Sequence, residues 1–221
     1  MHTFQTPAPI TTDLHIPAGR IQLIAADRTD TTVEIRPANP AKSRDVKAAA
    51  QAIVEYVDGV LRIAAAEPKN QYLGSTGSLE VTVQLPAGSR VQAKTASCEL
   101  RGVGRLGQIT FDGAYKQIKI DEAASVQLTA VDGDVEVGRL TGPAHITTAR
   151  GNIRITEAAH GTVELRTGMG EISVGAATSA SAVLNADTGH GRINNTLKNN
   201  GTPALHIHAT TSHGNITAHS H

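Results

Sequence analysis

The chain has no tryptophan and only five other aromatic side chains, Phe4, Phe111, Tyr56, Tyr72 and Tyr115. Its core must therefore be assembled from Val, Ile, Leu and Ala, and little is left to form the aromatic platforms on which sugars stack. With Cys98 as its single cysteine, no internal disulfide can form, which fits a reducing compartment. Twenty basic residues are balanced by twenty acidic ones, so no net field draws nucleic acid or an anionic membrane. The basic residues are also scattered rather than clustered with aromatics, which speaks against nucleic-acid binding. Long apolar runs are absent, and none approaches membrane-spanning length. The opening Met-His-Thr-Phe-Gln-Thr-Pro-Ala-Pro has no basic start followed by an apolar stretch, unlike a secretory leader. These absences set the expectation of a cytoplasmic protein, although a chain already trimmed of a leader would read the same way.

What is present is a repeat. Five segments share one pattern: Val131–Val137, Ala149–Ile155, Gly168–Val174, Gly189–Asn195 and Ser212–Ala218. Each carries a glycine at its third position, Gly133, Gly151, Gly170, Gly191 and Gly214. Two degenerate copies precede them, with Cys98 and Lys116 in the glycine slot, and successive slots lie 17 to 23 residues apart. Two positions after the slot stand Leu100, Ile118, Val135, Ile153, Ile172, Ile193 and Ile216, all aliphatic. Three positions before it the residue is small or Thr, as in Thr148, Thr167, Thr188 and Thr211. Each unit reads as a strand with period-two alternation, a glycine turn, a second strand and a looser turn.

One such coil cannot bury its apolar face alone; stacked coils share a core through their neighbours. Each inward aliphatic then contributes on the order of 1.5–3 kcal/mol. The fold class predicted is all-β: a β-solenoid of about seven regular coils over residues 91–221, right-handed or flattened into two sheets. A left-handed hexapeptide helix is disfavoured because Val126, Leu128, Val131, Val135, Val137 and Leu140 do not recur every six positions. The glycine slot is expected where the chain needs positive φ or close backbone approach, and Cys98 and Lys116 there predict a different turn. Asn195 and Ala218 replace the second inward aliphatic of the last two coils, so the C-terminal end is expected to pack loosely and leave an edge.

Residues 1–90 are expected to form an N-terminal β cap and irregular first coils, continuous with the stack. Strands are predicted over 10–16, 20–25, 31–36 and 79–85. One helix is placed near 41–53, starting at Ser43 or Asp45 with an Ala-rich middle. A hairpin follows, turning at Asp58-Gly59, and 69–78 reads as a polar loop. The turn Ile16-Pro17-Ala18-Gly19 is echoed by Leu85-Pro86-Ala87-Gly88.

The segments Phe4-Gln5-Thr6-Pro7, Ile21-Gln22-Leu23 and Asp27-Arg28-Thr29-Asp30-Thr31, the turn Leu85–Ser89, and the repeated Thr-x-x-Gly-x-Ile together resemble a bacterial β-strand-repeat family. That family is known as domain of unknown function 4097, with members called "putative adhesins". The resemblance covers nearly the whole chain. It implies a solenoid fold and a non-enzymatic, adhesin-like role, with no catalytic residue carried over.

Histidines gather near the C-terminus: His190, His206, His208, His213, His219 and His221. His190 and His213 share one slot in consecutive coils, and His206 and His208 flank Ile207, so both point outward if Ile207 points in. Imidazoles so placed could take Zn, Ni or Cu, against the plainer reading of a solvated, faintly pH-responsive surface. No compact ligand motif supports the metal reading. Asp132, Asp134 and Glu136, with Asp112, Asp121 and Glu122, could serve general acid–base cleavage of polysaccharide. An Asp-Gly-Asp turn needs no catalysis to explain it. The pairs Gly102/Gly104, Gly168/Gly170 and Gly189/Gly191 recur with the coil and lead into no helix, so they read as turn glycines rather than phosphate loops. Cys98 has no base nearby and reads as a buried thiol. The function expected is a structural or interaction module that binds a protein partner or itself through a solenoid face or the C-terminal end, with no enzyme activity, no cofactor and no membrane insertion. Polysaccharide binding or cleavage, and divalent-metal binding at His190, His213, His206 and His208, are the alternatives.

Overall fold

The computed structural model describes residues 1–65, 77–113 and 115–221; most of the expected polar loop at 69–78 lies outside them. The described residues form seventeen strands and one helix. In chain order these begin with β1 (His2–Gln5), β2 (Thr11–Ala26), β3 (Asp30–Pro37), α1 (Ser43–Ala50), β4 (Ile53–Val57), β5 (Val60–Ala64) and β6 (Leu79–Pro86). The stack proper follows with β7 (Arg90–Asp112), β8 (Ile118–Asp132), β9 (Val135–Leu140), β10 (Ala144–Arg150), β11 (Ile153–Ala158), β12 (Gly161–Met169) and β13 (Ile172–Ala176). It ends with β14 (Ala182–His190), β15 (Ile193–Thr196), β16 (Leu205–His213) and β17 (Ile216–Ser220).

The architecture is a β-solenoid with two parallel ladders, one per strand of each coil. The first runs through the second half of β8 to β10 and β12. The second runs through the first half of β8 to β9, β11 and β13. The inward residues form two aliphatic rows between the ladders. Leu100, Ile118, Val135, Ile153, Ile172 and Ile216 are each no more than 1% exposed. Alternation along each strand does this work: inward Val163, Leu165 and Thr167 are buried, while Glu164 and Arg166 between them face solvent.

The order of the last two coils differs from their order in sequence. β12 pairs with β16, not β14, and β13 pairs with β17, not β15. β16 and β17 then carry β14 and β15 on their far side. The C-terminal coil is thus inserted beneath the coil that precedes it, and Ile216 lies between Ile172 and Ile193. The expectation that the C-terminal coil is loose and forms the edge is corrected accordingly. Ala218 is 1% exposed because it is covered on both sides, whereas Ile193, in the coil that ends the stack, is 46% exposed.

At the other end, β2 continues the parallel stack against β7, matching Thr11–Ile16 with Arg90–Thr95 and Ala18–Ala25 with Ser97–Gly104. The two strands expected at 10–16 and 20–25 are therefore one, because Pro17-Ala18-Gly19 rounds the corner within a continuous strand, with Gly19 at φ +133. Gly19 is in register with Cys98 at the slot corner. Gly88 instead precedes the entry to β7 and donates its amide to Arg105 O, so the two Pro-Ala-Gly turns are not equivalent. Antiparallel strands finish this end: β3 lies on β6, β1 on β3, and β4 on β5. Helix α1 stops at Ala50, short of the predicted 53, because Ile53 already pairs with Ala64 in the β4–β5 hairpin. Its buried Asp45 accepts the Ser78 amide at 3.1 Å, tying the helix to the start of β6.

Candidate functional site

The corner between the two ladders is where the repeated residues act on one another. Gly170 has φ +155, and a Cβ there would fall onto the backbone carbonyl of Gly151; Gly151, with φ +135, stands in the same relation to Gly133. The slot thus demands both unusual φ and close approach between coils. Lys116 adopts φ +108 without being glycine, so it keeps the left-handed corner that its side chain was expected to exclude. At three slots the threonine three residues before the glycine completes the bonding, whereas Thr148 donates to Arg150 O at 3.0 Å. Thr167 Oγ1 donates to Gly151 O at 2.9 Å, Thr211 to Gly170 O at 3.0 Å and Thr188 to Gly214 O at 2.9 Å.

A third row joins the residues just after the slot. Asp134 Oδ1 accepts the Asn152 amide at 2.7 Å, Asn152 Oδ1 accepts the Glu171 amide at 2.8 Å, and Asn215 Oδ1 accepts the Arg192 amide at 3.0 Å. Asp134 is therefore a corner acceptor. Of the other five weighed for glycan chemistry, three sit in cross-coil ion pairs on the outer faces. Asp132 meets Arg150 at 2.9 Å, Glu136 meets Lys119 at 3.0 Å, and Asp121 meets Arg101 at 2.7 Å. Each links neighbouring coils, as opposite charges do across paired strands.

The four candidate metal histidines are not brought together. His190 and His213 are in register on β14 and β16, with their rings stacked at a centroid distance of 4.8 Å and an interplanar angle of 3°. His206 and His208 stand further along β16 on the outer face. His206 lies between Thr162 and Val183, and His208 between Glu164 and Asn185. Among the described residues no group of three or more His, Cys, Asp or Glu side chains is arranged to hold a metal ion. Glu164 also accepts from, or is bridged by, His145 Nδ1 at 2.9 Å. A row His145–Glu164–His208 thereby crosses a shallow depression of about 330 Å³. Sequence reading missed this row, since it depends on which coil lies next to which. Cys98 is 1% exposed, and burial pushes its thiol up to about 12, with Sγ directed at Ile16 O. A thiol so held is protonated and shielded, consistent with the structural reading.

The remaining distinctive surface is the free end. Among the described residues β14 and β15 pair on one side only, and Val183 and Ile193 there are 37% and 46% exposed. No helix among the described residues is long and apolar enough to cross a membrane.

Fold and corner chemistry define a stacked-coil β-solenoid protein with repeated Thr-x-x-Gly turns. The family profile for Toastrack DUF4097 matches residues 13–221, and the chain belongs to that family. Solved structures with a similar course include a "putative adhesin" from Bacteroides fragilis, at 11% identity, covering 98% of this chain and 95% of that one with a TM-score of 0.48. A "putative adhesin" from Parabacteroides distasonis shares 14% identity over 98% and 95%, with a TM-score of 0.45. A "putative cell adhesion protein" from Clostridium sporogenes shares 12% over 100% and 98%, at 0.41. No curated protein matches the chain in sequence.

Proposed function

We propose that this chain is a non-catalytic interaction module that associates with a second copy of itself through the open β14–β15 end. The observation that carries this reading is the one-sided pairing of β14 and β15. Beyond Ala182, whose amide donates to Lys198 O at 3.0 Å, the nine-residue edge strand presents its backbone to another strand. Apolar Val183 and Ile193 beside it add area to bury.

The corner row favours a closed pair over a filament. Every other slot from Cys98 onward is followed by a side-chain acceptor: Glu99, Gln117, Asp134, Asn152, Glu171 and Asn215. The end coil has Arg192 there, which cannot accept the amide of a further parallel coil. The far end of the stack finishes in antiparallel strands, so it does not supply such a coil. Two-fold pairing sets β14 antiparallel to its copy and needs no corner acceptor. Light scattering after size exclusion is expected to report a concentration-dependent dimer. Val183→Lys combined with Ile193→Lys, both at exposed positions, is expected to give a folded monomer. A monomer at every concentration, or a dimer unmoved by the two lysines, would overturn the proposal.

A further inference from the structure

Intercalation of the C-terminal coil creates a row at the slot corner that the linear order of the repeats would not. In register across adjacent strands stand Asp132, Arg150, Met169, His213 and His190. Neighbours in this row touch at both ends: Arg150 pairs with Asp132 at 2.9 Å, and His213 stacks on His190 at 4.8 Å. Met169 lies between these pairs. By alternation after inward Thr167 it would face the core, yet it stands at the corner beside Gly170 and is 53% exposed. If the coils stacked in sequence order, Met169 would meet His190 and His213 would lie one level further away.

We propose that Met169, His213 and His190 form a surface site for Cu(I). A thioether with two imidazoles is a soft, uncharged ligand set, the kind that selects Cu(I) over hard divalent ions. Adjacent strands set His213 about 4.8 Å from each of Met169 and His190, which stand about 10 Å apart on either side of it, so an ion beside His213 is within reach of all three once the exposed side chains turn toward it. No carboxylate belongs to the set, because Asp132 is committed to Arg150. The stacked rings offer no third imidazole, and His206 and His208 belong to a different part of β16. This proposal does not depend on dimer formation.

The test is a titration of the full chain with Cu(I) held reduced in excess bicinchoninate, whose colour reports the copper withdrawn. The expected result is one equivalent withdrawn, with Met169→Leu, His213→Asn and His190→Asn each weakening binding by about tenfold or more. His206→Asn with His208→Asn, the Val183→Lys/Ile193→Lys monomer, and Cys98→Ala are expected to retain it. X-ray absorption of the copper-loaded chain is expected to show a sulfur neighbour that disappears in Met169→Leu. Three outcomes would overturn the proposal: no copper withdrawn, binding unchanged in Met169→Leu, or loss of binding in Cys98→Ala alone.

Discussion

Exchanged order of the last two coils can be tested by cross-linking. Thr162 on β12 is in register with His206 on β16, and His206 with Val183 on β14. All three side chains are exposed on the same outer face. Adjacent strands put Thr162 and His206 about 4.8 Å apart, whereas Thr162 and Val183 are two strands apart, at about 10 Å. A disulfide does not span Cα atoms beyond roughly 7 Å. Thr162→Cys with His206→Cys should therefore oxidise readily, and Thr162→Cys with Val183→Cys should remain reduced. The bridge closes a loop of about 45 residues, worth about 4 kcal/mol if native geometry accepts it. Mass spectrometry under oxidising conditions reads the bond, and urea unfolding with and without reductant reads the gain. Sequence-order stacking would reverse the two pairs. Efficient closure of 162 to 183, with none of 162 to 206, would refute the coil exchange and the copper site together.

Two further outcomes follow from the corner and the core. Replacing Thr167 with Val keeps its shape but leaves the Gly151 carbonyl without its 2.9 Å donor, at a cost of about 1–3 kcal/mol. Urea midpoints should fall for Thr167→Val and much less for Thr167→Ser; equal midpoints would remove the threonine's assigned role. Cys98 should resist a thiol reagent in the folded chain and react fully once unfolded. Its folded value of about 12 lies above its ordinary 9.0, so the unfolded thiol ionises first. Its contribution to stability is therefore complete below pH 9 and is lost as pH rises toward 12. Rapid labelling of the native chain at neutral pH would contradict the burial.

The aliphatic row was legible because burial demands it at every coil: six of the seven residues read from Leu100 to Ile216 are sealed in the core. The exception, Ile193, was not legible by the same rule, since its residue type fits an inner coil and only its position at the end exposes it. Coil order escaped the sequence because each coil presents nearly the same surfaces above and below, so pattern alone cannot say which neighbour wins. A signal did exist in Arg192 and Asn195, which break the corner acceptor row and the inward row in one coil. Asn195 shares its break with Ala218 of the last coil, and only Arg192 singles out the coil of 182–196 as the end of the stack. For the candidate sites, the stacked His190–His213 pair could be read from slot positions alone. The neighbours of Met169 and Glu164, His213 and His208, could not, because they are supplied by a segment some forty residues away.

The inserted coil also bears on how the chain is made. Synthesis delivers residues 182–196 before the segment that must lie beneath them, so this length emerges with no floor to rest on. In a stack where each level is held by its immediate neighbours, it can dock only when 205–220 has arrived. The tail of the chain thus acts as a keystone rather than a last course of bricks. Losing it would strip away two levels at once.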